Sequence, residues 1–98
     1  MAAYMIVFCR IKDRARFLED YAKPTAALLP QFGGEYLVRT PKVAALEGAF
    51  GDGLACVVSK WPTRAHLDAF YGSPAYAPLK AARAALSDCS ILIAEDPA

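Results

Sequence analysis

The sequence is poor in the residues that usually announce chemistry. It has a single histidine, His66, and its cysteines, Cys9, Cys56 and Cys89, form no C-x-x-C pair. It has no Gly-rich phosphate loop, no dinucleotide-type glycine fingerprint and no Gly-x-Ser-x-Gly elbow. One histidine without a carboxylate or thiol cluster is a weak basis for a metal site, so no metal and no tightly bound cofactor is expected. Like charges do not cluster: 11 basic and 10 acidic residues leave a net charge of +1. A nucleic acid or an anionic membrane needs a basic patch, so neither is expected as a partner. The apolar start runs only from Met1 to Cys9 before Arg10. A membrane span needs ~20 such residues, and a leader needs a basic head and a cleavage site. A cytoplasmic protein is the expectation. The cysteines lie far apart and are odd in number, which reads as three buried free thiols without a disulfide.

What the chain does have is apolar surface. Of its 98 residues, 56% are apolar, more than one small core needs. The length fits one domain, residues 1–98. Tyr4–Ile11 (YMIVFCRI) is short, rich in β-formers and apolar on both alternating faces, so it reads as a strand covered on both sides. Asp13 suits the N-cap of a helix whose apolar residues recur from Phe17 to Phe32. Pro24 interrupts that helix, giving one kinked helix or two short ones, and Gly33-Gly34 stops it. Glu35–Arg39 alternates as a strand, with Arg39 on the face of Leu37 and Glu35. Val43–Glu47 can continue it beyond Pro41, and the glycines of 48–53 make a loop. Leu54–Lys60 is a third strand, again apolar on both faces. Thr63 caps a short helix, Arg64–Tyr71. Gly72 ends it, and Ser73-Pro74 opens a second helix running to about Leu86. Asp88–Glu95 is the fourth strand.

The order β-α-β-β-α-β predicts an α+β, ferredoxin-like fold: a four-stranded antiparallel sheet with its helices on one face. Strands apolar on both faces then require a cover for the open face. A homodimer packed sheet to sheet supplies it.

Three stretches, GGEYLVR (Gly33–Arg39), LEG (Leu46–Gly48) and SPAYAPLKAAR (Ser73–Arg83), resemble the domain-of-unknown-function 1330 family, in its order and spacing, over Tyr4–Glu95. That family belongs to the dimeric α+β-barrel superfamily, so the resemblance implies a homodimer whose two sheets form a barrel. The superfamily holds cofactor-independent monooxygenases, haem-degrading enzymes, lactone isomerases and ligand-binding regulators, among which fold does not choose. Pro78 departs from the family pattern and is expected to disturb the second helix.

The candidate site residues follow from side-chain chemistry. His66 can move a proton near neutral pH. Arg39 can hold a carboxylate or enolate with two parallel hydrogen bonds, and Arg83 offers the same chemistry. Either arginine can instead form an ion pair with Glu47. Tyr71 and Tyr76, which flank the helix break, with Tyr21 and Trp61 near it, present apolar walls with polar tips, as a small-molecule pocket does and as a core does. The competing functional expectations are a cofactor-independent enzyme for a small aromatic or acidic metabolite, and a non-catalytic small-ligand-binding or stress-related structural dimer.

Overall fold

The computed structural model describes residues 1–97. Four strands, β1 (Ala3–Ile11), β2 (Glu35–Thr40), β3 (Ala55–Trp61) and β4 (Ser87–Glu95), form one antiparallel sheet in the order β2-β3-β1-β4. The helical segments between β1 and β2, and between β3 and β4, pack on the same face, as the ferredoxin-like order requires. Strand alternation decides what they cover. Ala3, Met5, Val7 and Cys9 of β1 are buried beneath the helices with Ser59 and Trp61 of β3. Leu29, Leu67, Phe70 and Tyr76 complete the core from the helical side.

The first connection is helical throughout but not uniformly α. Asp13 caps α1 (Arg14–Phe17) by accepting from the Arg16 amide at 3.1 Å. A π-helical turn, Leu18–Ala22, follows, then α2 (Lys23–Leu28) and a 3-10 turn, Leu29–Phe32. Pro24 lies just inside α2. It has no amide hydrogen to give, and the Lys23 amide reaches back five residues to the Leu18 carbonyl. Gly33 ends the run with φ 89°, the left-handed conformation glycine adopts freely.

The second connection corrects two expectations. Thr63 caps α3 (Arg64–Tyr71) and Gly72 ends it. The next helix, α4 (Ala77–Leu86), starts later than Ser73-Pro74. Residues 73–76 form a turn in which the Ser73 hydroxyl donates to the Phe70 carbonyl at 2.8 Å and accepts from the Tyr76 amide at 3.2 Å. Pro78 therefore falls in the first turn of α4, where a missing amide hydrogen leaves no intrahelical bond unmade. Residues 43–47 do not extend β2. They belong to a loop braced by amide bonds from Val43 to the Leu54 carbonyl, 2.8 Å, and from Gly53 to the Val43 carbonyl, 2.7 Å.

The cysteines are the larger correction. Cys9 and Cys89 stand directly opposite each other on β1 and β4 and are joined in a disulfide, with Cα atoms 4.2 Å apart. Sequence separation hid the pair, because strand register, not spacing, brings the two together. Cys56 alone is a buried free thiol. Burial pushes its pKa up, which keeps it protonated.

The face away from the helices is apolar. Val38, Val58, Ile6 and Leu92 lie in one row across all four strands by register. Val38 and Leu92 are exposed, and Phe50 of the long loop covers Phe8 edge-on at 5.0 Å.

Candidate functional site

The chemistry converges between the first helical segment and the sheet. A cavity of about 80 Å³ lies there. Phe17, Tyr21, Thr25 and Leu29 line it from the helical side; Met5, Val7, Cys9, Val57, Tyr36 and Arg39 line it from the sheet.

Arg39 reaches this cavity because β2 is irregular. The register with β3 slips between Tyr36 and Val38, so Tyr36 opposes Ser59 and Arg39 opposes Val57, both helix-facing positions. A bulge of this kind reverses the alternation beyond it. Arg39 thus shares a face with Tyr36 and not with Leu37 and Glu35, correcting the simple alternation. Its guanidinium stacks 4.4 Å above the Tyr36 ring centroid.

Tyr21 supplies the second polar group. Its hydroxyl and that of Tyr76 are 2.7 Å apart. Burial, reinforced by Tyr76, pushes the Tyr21 pKa far above the ordinary phenol value, with Arg83 pulling weakly the other way. Tyr36 is also raised, chiefly by burial. Both phenols stay protonated at neutral pH and act as hydrogen-bond donors, not bases. The Thr25 hydroxyl is buried with no hydrogen-bond partner in the protein. Arg83 is 8% exposed and its Nε has no partner either. Among the described residues neither Arg39 nor Arg83 has a carboxylate within ion-pair distance, so neither pairs with Glu47.

The other candidates lie elsewhere. His66 sits in the first turn of α3, exposed, with Nδ1 2.7 Å from the Thr63 hydroxyl, and lines neither of the two cavities described here. Trp61 is fully buried, its Nε1–H donating to Ser59 Oγ at 3.0 Å. Tyr76 is fully buried against Phe70, ring centroids 4.6 Å apart, and meets the cavity only through Tyr21. Tyr71 faces a separate groove of about 310 Å³ beside β4, floored by Met5, Ile91 and Ile93. That groove is larger, but its arginine, Arg64, is already bonded to Asp68 at 2.9 Å and lies 3.5 Å from Glu95. Volume favours the groove. The inner cavity carries more weight because it holds a buried hydroxyl without a partner, that of Thr25, which is costly, beside an exposed arginine, Arg39, that no carboxylate pairs among the described residues.

Sequence reasoning passed over Tyr36 and Thr25 and left Tyr21 as a neighbour of the helix break. The available signal was Pro24, since a proline inside a helical pattern forces the local rearrangement that carries Tyr21. No cluster of three or more His, Cys, Asp or Glu side chains able to hold a metal occurs among the described residues. No helix among them is long and apolar enough to cross a membrane.

An antiparallel ferredoxin-like sheet with one helical layer and a small cavity beneath the first helix defines the class. The chain belongs to the family described as Domain of unknown function (DUF1330), which matches residues 2–97. Solved structures share the fold at low identity. A protein of unknown function from Rhodopseudomonas palustris is 14% identical with a TM-score of 0.80, over 99% of this chain and 83% of that one. A dimeric ferredoxin-like protein of unknown function from Jannaschia sp. CCS1 is 15% identical with a TM-score of 0.78, over 98% and 100%. SnoaB, a cofactor-independent oxygenase from Streptomyces nogalater, is 16% identical with a TM-score of 0.71, over 99% and 94%. No curated protein matches the sequence significantly.

Proposed function

We propose that the chain is a homodimer that binds a small acidic or aromatic metabolite between its first helix and its sheet, and holds it as an anion. The observation that carries this reading is an apolar cavity with arginines near it that lack carboxylate partners. Arg39 lines the cavity. Arg83, almost wholly buried, acts on Tyr21 from behind. Arg39 is exposed to solvent and has no carboxylate partner among the described residues, so its guanidinium is free to form charge-assisted hydrogen bonds with a bound anion. The Tyr21 hydroxyl, backed by Tyr76, and the Thr25 hydroxyl are further groups that can donate to an oxyanion.

The size of the cavity limits what enters. About 80 Å³ equals roughly three waters at ~30 Å³ each. It seats a carboxylate, enolate or phenolate head beside Arg39, and the remainder of the ligand extends out of the cavity. Acting as a cofactor-independent enzyme, the protein would stabilise an anion that forms by the substrate's own acidity. A non-catalytic binder is the second reading. It is favoured by the lining itself, which offers donors but no residue poised to act as a base. SnoaB, which shares the fold, keeps the enzymatic reading in view.

The dimer reading rests on the apolar row Val38–Val58–Ile6–Leu92 on the open face, and the Jannaschia protein, which shares the fold, is dimeric.

The test is a thermal-shift and calorimetric panel of benzoates, small aliphatic acids and phenols against neutral isosteres of the same shape. Acids raise the melting temperature and isosteres do not. Arg39→Ala weakens acid binding about tenfold to a hundredfold, the range of a charged hydrogen bond. Equal binding of acids and isosteres, or binding indifferent to Arg39→Ala, refutes the reading. Turnover of quinols under oxygen that is lost in Tyr21→Phe selects the enzyme over the binder.

A further inference from the structure

The disulfide has no part in the binding reading, yet Cys9 lines the cavity. We propose that Cys9–Cys89 is a thiol–disulfide exchange site, attacked at Cys89 by small-molecule thiols, and not a fixed structural staple.

Four observations support this. First, the bond is not needed to hold the strands together. Cys9 and Cys89 are one pair in a ladder of nine running from Ala3↔Glu95 to Ile11↔Ser87, with hydrogen-bonded strand on either side. Opening the bond leaves the two sulfurs facing each other, so the step can reverse. Second, the two sulfurs differ in access. Cys9 is 6% exposed, whereas Cys89 is half-buried on the edge strand. Third, exchange needs the nucleophile in line with the bond it breaks. β4 is the outermost strand on its side, so Cys89 has a neighbouring strand on one side only, that of Cys9. A thiolate that attacks Cys89 expels Cys9. Fourth, Ser87 Oγ lies 3.1 Å from Cys89 Sγ and donates to the Arg83 carbonyl at 2.6 Å, so its oxygen is placed to accept a hydrogen bond from the Cys89 thiol once it is reduced.

The step balances with a thiol reductant as the only co-reactant. A small thiolate bonds to Cys89 Sγ, the Cys9–Cys89 bond breaks, and Cys9 leaves as a thiolate that takes one proton inside the cavity. A second small thiolate attacks the sulfur of the first. Cys89 leaves and is protonated, and the small molecule departs as its own disulfide. Two electrons pass from the thiols to the protein. Cys56, buried on the opposite face, takes no part and serves as an internal control.

The test uses the native chain and glutathione as the probe, with no ligand, so its outcome is independent of the binding reading. Protein purified in air is denatured and alkylated without reductant: one alkylated site, Cys56, is expected. Native protein is then incubated with millimolar reduced glutathione and mapped by peptide mass spectrometry. The expected intermediate carries glutathione on Cys89 alone, with Cys9 newly open to alkylation after denaturation. With oxidised glutathione, Cys9→Ser forms its adduct about tenfold or more faster than Cys89→Ser, following the difference in access. Three alkylated cysteines in the air-purified protein overturn the proposal. So does a disulfide that yields to glutathione only after unfolding, which marks a structural staple, and so does an adduct found mainly on Cys9.

Discussion

Gly34→Ala tests the packing that joins the first helical segment to the sheet. A Cβ at position 34 would lie 2.7 Å from Leu29 Cδ2 and 2.7 Å from Trp61 Cη2. Carbon atoms prefer about 3.5–4.0 Å, so roughly 0.8 Å must open on two sides at once. Neither neighbour can give way easily. Leu29 is 1% exposed and Trp61 fully buried, with the indole fixed by its bond to Ser59. Overpacking of this kind costs about 1–3 kcal/mol. Alanine also restricts the unfolded chain, a gain of ~0.4–1 kcal/mol where the backbone accepts it. It does so here, because the positive φ angles fall at Gly33, Gly48, Gly51 and Gly53 and not at Gly34. The net is a loss of about 1–2 kcal/mol, or a fall in melting temperature of roughly 4–16 °C for a domain of this size. Urea unfolding followed by tryptophan fluorescence is a suitable assay, since Trp61 is the sole tryptophan and its ring touches the new methyl group. Gly48→Ala is the control: φ is 73° and nothing lies within 4 Å, so it carries backbone strain without a clash. Gly34→Ala shifts the native emission and Gly48→Ala leaves it unchanged. A Gly34→Ala protein as stable as the parent, with the parent's emission, refutes the reasoning.

Other perturbations have defined signs. The disulfide closes a sequence separation of 80 residues, for which loop-closure entropy gives at most about 4.5 kcal/mol; because an exchangeable bond contributes less than a staple, the double variant Cys9→Ala, Cys89→Ala should stay folded and lose less than about 2 kcal/mol in urea, and a loss near that ceiling contradicts this. Tyr21 is raised above its ordinary pKa of 10.0, so its contribution is fully present below pH 10 and is lost above it, as the unfolded phenol ionises and the folded one does not. Stability measured by urea unfolding should fall by up to ~1.4 kcal/mol per pH unit per such group above that pH, and less steeply in Tyr21→Phe. Val58→Lys puts a charge at the centre of the open sheet face; light scattering should give the 10.6 kDa monomer mass for the variant and twice that for the parent. A monomeric parent rules out the sheet-to-sheet dimer.

The fold was legible because its signals are local and mutually consistent. Asp13 and Thr63 cap the helices they were expected to cap, Gly33 and Gly72 stop helices where expected, and the order of elements leaves few arrangements. The Gly33-Gly34 pair is also explained residue by residue: the first supplies a left-handed turn, the second lets Leu29 and Trp61 approach. The candidate site was less legible because it depends on departures from regular geometry. Arg39 was identified as a candidate, but its face is set by a bulge that alternation cannot anticipate. The Cys9–Cys89 pair depends on strand register. Tyr36 and Thr25 are ordinary residue types whose significance comes from burial and from what they lack as partners. His66 drew attention by its chemistry, while its place at the helix start is explained by Thr63.

Pro24 links the irregular helix to the cavity. Phe17, Tyr21, Thr25 and Leu29 all line the cavity at intervals of four residues. On a straight α-helix each such step turns about 40° past a full revolution, so the first and last would diverge by about 120°. The π-helical turn at 18–22, with more than four residues per revolution, turns the other way over the step from Phe17 to Tyr21 and keeps the wall together. Pro24→Ala restores an amide able to donate to the Asp20 carbonyl and removes the main obstacle to a plain α-helix, where proline is disfavoured by about 3 kcal/mol relative to alanine. The variant should therefore be more stable than the parent by up to about 2–2.6 kcal/mol, after the loss of the proline's restraint on the unfolded chain. It should also turn Tyr21 away from Tyr76. The fall in stability above pH 10 then becomes shallower, as in Tyr21→Phe, and Arg39-dependent binding of small acids weakens. The first readout needs no ligand. A more stable Pro24→Ala protein that keeps the parent's alkaline profile would show that the proline does not set the position of Tyr21, and the wall would need another cause.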